Sequence, residues 1–385
     1  MIAARLRPFG TTIFSEMSAL AVRTGAINLG QGFPDTDGPA EIVDAVTAAM
    51  RAGANQYAPL PGVPELCAAI AEHQRRRYGL DVDPESGVQV TFGATEAVAA
   101  TMLGLLEPGD EVVVLEPFYD SYAATIAMAG ATRRLVTLRP PDFALDLDEL
   151  AAAARGGRVR MLLLNSPHNP TGRVLTRPEL EAVARVCVEH DLVAVTDEVY
   201  EHLVYDGAHV PLATLPGMAQ RTLTISSSGK SFSFTGWKIG WCSGPPELVA
   251  GVRAAKQFLS FAGGTPLQHA VATALADAER HVAPLRRSLQ AARDHLCAGL
   301  DEAGFGVCVP QGGYFVNADL APLGVADAAA WCRTLPARAG VVAIPTSAFY
   351  ADPDAGRTLV RFAFCKRREV IGEAVERLVA VCGLG

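Results

Sequence analysis

Near-continuous apolar runs at residues 88–92, 111–115, 159–164, 192–196 and 222–226 recur between stretches of helical periodicity. No other feature limits the fold so strongly. A strand that is apolar at nearly every position is buried on both faces, and such strands belong to a parallel sheet whose crossovers are helices. The pattern predicts a further strand at 133–138 and helices at 96–106, 122–129 and 177–190. The expected class is therefore α/β, a mostly parallel sheet with helices on both faces. Beyond it the pattern changes. Residues 266–303 read as long helix with a break near Pro284. Strands at 313–318, 341–344 and 359–364, with helices at 326–338 and 367–381, predict a smaller α+β domain. A chain of 385 residues can hold both cores.

Composition narrows the partners. A net charge of −8 argues against nucleic acid or an anionic membrane surface. The Arg75-Arg76-Arg77 run reads as a solvated helix face. The eight cysteines show no paired spacing, as expected of small buried residues in a reducing compartment. Residues 1–10 lack the apolar core of a signal peptide, and no apolar run is long enough to span a bilayer. A cytoplasmic protein is expected.

Polar clusters fall where strands end, which is where open α/β sheets bind ligands. FGATE (92–96) joins a strand to a helix, and its small residues let backbone amides meet an anion. It reads equally as a tight turn with Thr95 capping the helix. EPFYDSY (116–122) offers Tyr119, either to stack on a flat ring or to pack in the core. NSPHNPTG (165–172) is a rigid turn that aims Asn169 outward. Asp197 ends a strand, where a buried acid needs a positive partner such as a protonated pyridine nitrogen. Only four lysines occur, and Lys230 and Lys238 share the stretch SSSGKSFSFTGWKIGW. Unlike arginine, lysine can lose its proton and form a Schiff base. Arg361 lies in the apolar run VRFAF, where its fork calls for a carboxylate ligand or an internal salt bridge. No metal-ligand pattern is present, and the reading includes no metal site. Together the clusters describe a site for a phosphorylated aromatic aldehyde held by a lysine.

The strings NLGQGFPD, NQYAPLPG, FGATEA, EPFYDSY, NSPHNPTG, TDEVYEHLVYD, SSSGKSFSFTGWKIGW and VRFAFCK occur in this order over the whole chain. In them the sequence resembles the class I/II aminotransferases among the fold-type I pyridoxal-phosphate enzymes. It is most similar to the kynurenine/glutamine transaminase-like branch. TTIFSEMSALA, GVRAAKQ and FCKR resemble actinobacterial N-succinyldiaminopimelate aminotransferases.

The resemblance implies a seven-stranded, mostly parallel sheet. It also implies an N-terminal arm with part of the small domain at 1–39, a large cofactor domain at 40–275 and a small domain at 276–385. Lys230 would carry the cofactor and move protons, Asp197 would pair with the ring nitrogen, and Tyr200 and Asn169 would bond the ring 3′-oxygen. Tyr119 would stack on the ring. Ala94, Thr95, Ser227 and Lys238 would hold the phosphate, joined by Tyr57 from the neighbouring subunit of a homodimer. Arg361, Gly32 and Asn169 would bind the α-carboxylate. Where the branch often has a tryptophan over the substrate, Phe14 stands here, and Phe261 is expected to line the same pocket from the partner chain. The expected reaction moves an amino group between an amino acid and a 2-oxo acid. N-succinyl-LL-2,6-diaminopimelate with 2-oxoglutarate/glutamate is the foremost pair. Kynurenine-, glutamine- or methionine-type transamination and cysteine-conjugate C–S β-elimination on the same scaffold are the alternatives.

Overall fold

The computed structural model describes residues 2–10 and 12–382. Met1 and residues 383–385, at the outer edges of the expected segments, lie outside the described residues, as does Thr11, the first residue of TTIFSEMSALA. In chain order the strands are β1 (Ile27–Asn28), β2 (Val88–Phe92), β3 (Glu111–Glu116), β4 (Thr132–Thr137), β5 (Val159–Asn165), β6 (Val193–Asp197), β7 (Thr222–Ser227) and β8 (Ile239–Ser243). They continue as β9 (Gly306–Cys308), β10 (Phe315–Asp319), β11 (Val341–Val342), β12 (Ile344–Pro345) and β13 (Leu359–Ala363).

The large sheet has seven strands in the order β2-β8-β7-β6-β5-β3-β4. Its strands run parallel except β8, which is antiparallel to both β2 and β7. The apolar runs explain the layering. Val113, Leu115, Leu162 and Leu164 pack into a core on one face. The residues between them, Val112, Val114, Met161 and Leu163, pack into a second core on the other. Alternation along a strand thus feeds two helical layers at once. A second, antiparallel sheet, β12-β13-β10-β9, carries the later part of the chain. Phe305, Trp331 and Phe362 fill its core.

Three expectations are corrected. The break in the 266–303 helix falls at Asp277 (φ −134°, ψ 53°), between Thr265–Ala276 and Ala278–Glu302, and Pro284 is accommodated inside the second helix. The 341–344 run is not one strand. Val341–Val342 pairs parallel with β1, while Ile344–Pro345 pairs antiparallel with β13. FGATE does not use Thr95 as a cap, because the helix Gly93–Leu105 already begins at Gly93. The strand β8 has no counterpart among the runs read from the sequence. It holds a glycine and a serine, and no long helix separates it from β7. Seven of the eight cysteines are buried, as expected, and none is disulfide-bonded.

Candidate active site

The parallel strands deliver their carboxyl ends to one edge. Phe92, Asn165, Asp197 and Ser227 all end strands there, and Ile239 starts β8 at the same edge. A cavity of about 410 Å³ opens against it. Twelve of the expected site residues line it: Phe14, Gly32, Ala94, Thr95, Tyr119, Asn169, Asp197, Tyr200, Ser227, Lys230, Lys238 and Arg361. Tyr57 and Phe261 do not. They meet each other edge-on, ring centroids 5.8 Å apart, and Tyr57 is 82% exposed.

Lys230 sits in the one-turn helix Ser228–Ser231 that follows β7. Its Nζ donates to the Gly32 carbonyl at 3.2 Å and lies 5.7 Å from the Tyr200 ring and 5.4 Å from the Tyr314 ring. Burial is the main cause that pulls its pKa below the usual lysine range. That direction favours the neutral form, which a nucleophilic amine needs.

Asp197 is buried among groups that carry no charge on contact. The Tyr122 hydroxyl donates to its Oδ2 at 2.6 Å and the Val199 amide to its Oδ1 at 3.4 Å. Burial pushes its pKa up to about 6. A buried carboxylate in this state gains from a cation set against it.

Arg361 is carried on β13, opposite Asn317 of β10 and Ile344 of β12. Its Nη1 donates to Asn169 Oδ1 and its Nη2 to the Gly30 carbonyl, both at 3.0 Å. Among the described residues its Nε has no hydrogen-bond partner, and no carboxylate pairs with it. Phe315, Phe349 and Phe14 pack their rings 3.8, 4.7 and 5.2 Å from the guanidinium carbon. This aromatic, water-poor setting pushes the pKa down to about 10. The internal salt bridge weighed from the sequence is not formed.

The anion end of the cavity is built by Gly93 and Lys238. Gly93 takes φ 70°, a conformation that favours glycine, and starts the helix whose next amides are those of Ala94 and Thr95. A Cβ added at Gly93 would stand 3.3 Å from Lys238 Nζ, so the turn and the ammonium already crowd one spot. These features fit pyridoxal phosphate: a cationic cradle for phosphate, a buried acid with no ion-pair partner among the described residues, and a buried lysine in the same cavity.

Several functional contacts escaped the sequence. Tyr122 was read as part of EPFYDSY without a role. Tyr314 donates its hydroxyl to the Lys230 carbonyl at 2.9 Å, and Phe315 and Phe349 enclose Arg361. All three come from the later part of the chain; Tyr314 and Phe315 fall in the predicted strand 313–318, and Phe349 falls between the predicted strands.

Fold and site together define a pyridoxal-phosphate-dependent aminotransferase of fold type I. Residues 24–378 match aminotransferase class I and II, and the chain belongs to that family. It is 56% identical, over 98% of each chain, to a Mycobacterium tuberculosis protein named as a probable N-succinyldiaminopimelate aminotransferase. The solved structure of N-succinyldiaminopimelate aminotransferase from that organism covers 99% of this chain and 100% of its own, with TM-score 0.97 and 55% identity. The methionine aminotransferase of Escherichia coli is 39% identical over 97% of each. None of the described helices is long and apolar enough to cross a membrane.

Proposed function

We propose that the chain moves an amino group between N-succinyl-LL-2,6-diaminopimelate, in lysine biosynthesis, and the 2-oxoglutarate/glutamate pair. The observation that supports an aminotransferase reaction in this cavity is that Arg361, with no carboxylate partner among the described residues, lines it together with Lys230 and Asp197. The identity to the Mycobacterium tuberculosis relative supports the substrate. A second reading has its own support. The cations lining the cavity, among the described residues, are Lys230, Lys238 and Arg361, which leaves none for a distal carboxylate. That favours an uncharged donor such as methionine. Kynurenine or glutamine donors and β-elimination from a cysteine conjugate belong to the same alternative.

Bound in the cavity, pyridoxal phosphate supplies an electron sink that stabilises charge developing at the substrate's Cα. The chain's own groups do the rest. Backbone amides of Ala94 and Thr95, the Ser227 hydroxyl and Lys238 hold the phosphate, with Tyr57 of a second subunit. Asp197 would pair with the ring nitrogen, and Tyr122 keeps its carboxylate oriented. Tyr200 and Asn169 would hold the ring oxygen, and Tyr119 would stack on the ring. Arg361, the Gly32 backbone and Asn169 bind the α-carboxylate, while Phe14 and the partner's Phe261 bound the side-chain space. Lys230 Nζ would move the proton between the substrate's Cα and the cofactor's C4′.

We further propose a cytoplasmic homodimer, with an arm at 1–39, a cofactor domain at 40–275 and a small domain at 276–385. The separate four-stranded sheet supports that last segment. The test is a donor panel against 2-oxoglutarate that includes N-succinyl-LL-2,6-diaminopimelate, methionine, kynurenine, glutamine and a cysteine conjugate. The first should show the highest kcat/KM. A tenfold or greater preference for methionine, or pyruvate release from the conjugate at comparable rate, overturns the reading.

A further inference from the structure

Lys230 is carried on a helix of four residues, Ser228–Ser231. So short a helix cannot hold itself, because one turn fixes several torsions for a single backbone bond. Side chains hold it instead. Ser228 Oγ donates to the Ile239 carbonyl at 3.0 Å, and the Tyr314 hydroxyl donates to the Lys230 carbonyl at 2.9 Å. The third tie comes from behind: Ser231 Oγ lies 2.8 Å from Nδ1 of His202. His202 is 2% exposed, and its Nε2 meets His73 Nε2 at 2.9 Å. Beside the pair, Glu201 accepts from the Tyr78 and Ser226 hydroxyls, both at 2.6 Å. The chain from Asp197 to His202 thus serves two sides: Asp197 and Tyr200 line the cavity, whereas Glu201 and His202 face away from it.

Burial pushes the His202 pKa down to about 3, and His73 is lowered by the same cause. Two neutral rings facing through Nε2 share one proton. If His202 donates it, its Nδ1 accepts from Ser231; if His73 donates it, His202 Nδ1–H donates to Ser231. Either way Ser231 is bonded.

We propose that His202 is a positioning residue for Lys230, acting through Ser231, with His73 completing the bond on its far side. This rests on Lys230 being the cofactor lysine. The groups facing Lys230 are Asp197, Arg361, Lys238 and Cys365, with the Tyr200 and Tyr314 rings; those facing His202 are Glu201, His73, Arg77 and His209. None of these is altered by the variants that decide the matter.

The experiment uses holoenzyme and reads the pH midpoint of the bound cofactor's absorbance, together with kcat and KM. An asparagine amide reaches the place of Nδ1 and a glutamine amide that of Nε2. His202→Asn should therefore keep the Ser231 bond and the wild-type midpoint. His202→Gln and Ser231→Ala should each move the midpoint by about 0.3–1 pH unit, the range expected for one lost hydrogen bond. They should lower kcat roughly three- to tenfold and leave the donor KM within about twofold. Unchanged midpoints in both His202→Gln and Ser231→Ala, even with a lower Tm, would make the network merely structural and overturn the proposal. So would equal shifts in His202→Asn and His202→Gln. If the His202 variants do not fold, Ser231→Ala alone decides. Failure of the cofactor assignment is visible separately, as a wild-type protein with no pH-dependent absorbance.

Discussion

Arg361 brings a charge into an apolar strand, where among the described residues it meets carbonyl oxygens and phenyl rings but no carboxylate, and its Nε is left without a hydrogen-bond partner. A substrate carboxylate completes it as a forked pair. Arg361→Ala should lower kcat/KM by about 2–5 kcal/mol, roughly 30-fold to several-thousand-fold, for both the amino donor and the 2-oxo acid acceptor. Arg361→Lys keeps the charge without the fork and should remain impaired. Steady-state kinetics of each half-reaction checks this; normal kinetics in either variant would falsify the assigned substrate orientation. Asp197 makes a different prediction, for the cofactor-free protein. Its folded pKa, about 6, lies above the ordinary 3.8. The folded state therefore binds the proton more tightly than the unfolded state. That stabilisation is full below about pH 4 and is lost as pH rises through 6, leaving a cost of roughly 3 kcal/mol at neutral pH. Asp197→Asn should raise the Tm of the cofactor-free protein by a few degrees at pH 8, with the gain shrinking towards pH 5. The same variant should retain cofactor poorly. Melting curves at the two pH values, with and without cofactor, decide it; a lower Tm at pH 8 refutes the account.

At the scale of elements, β8 and the helix Gly93–Leu105 converge on the anion cradle. A Cβ on Gly240 would stand 2.5 Å from the Gly93 carbonyl carbon, which is backbone and cannot swing aside. Gly240→Ala should cost about 1–3 kcal/mol of stability and weaken cofactor binding at least about tenfold, seen by thermal melts and cofactor titration. Wild-type cofactor affinity in this variant would mean the turn is not the cradle. The same region marks the limit of legibility. Strands β3, β5, β6 and β7 announce themselves because both faces are buried and their inner positions are mostly apolar, or in β7 apolar alternating with small hydroxyl residues. The strand β8 does not, since Gly240 is there for close approach and Ser243 ends the pairing with β2 and β7. Likewise 341–344 is a continuous apolar run, but its two halves bond to different sheets, and no local periodicity records that.

At the scale of the whole molecule, Tyr57, Phe258 and Phe261 remain solvent-facing, at 82%, 84% and 42% exposure. Tyr57 and Phe261 pack against each other, and contiguous exposed apolar surface often marks a contact with another molecule. With the proposed homodimer, mixing Tyr57→Phe and Lys230→Ala subunits should yield heterodimers with one intact site and activity above either parent. Verified subunit exchange without recovery of activity counts against shared sites. The sequence by itself determined the sheet type, the strand-end motifs and the lysine, acid and arginine of the site. Each of these depends on local periodicity or on a residue type that is costly where it stands. Only the tertiary structure decided that Arg361 has no ion-pair partner among the described residues, that Tyr122, Tyr314, Phe315 and Phe349 contact Asp197, Lys230 or Arg361, and that a histidine pair lies behind Lys230. Those are contacts between segments up to 331 residues apart, as between Gly30 and Arg361, and chain separation of that length leaves no trace in any local pattern.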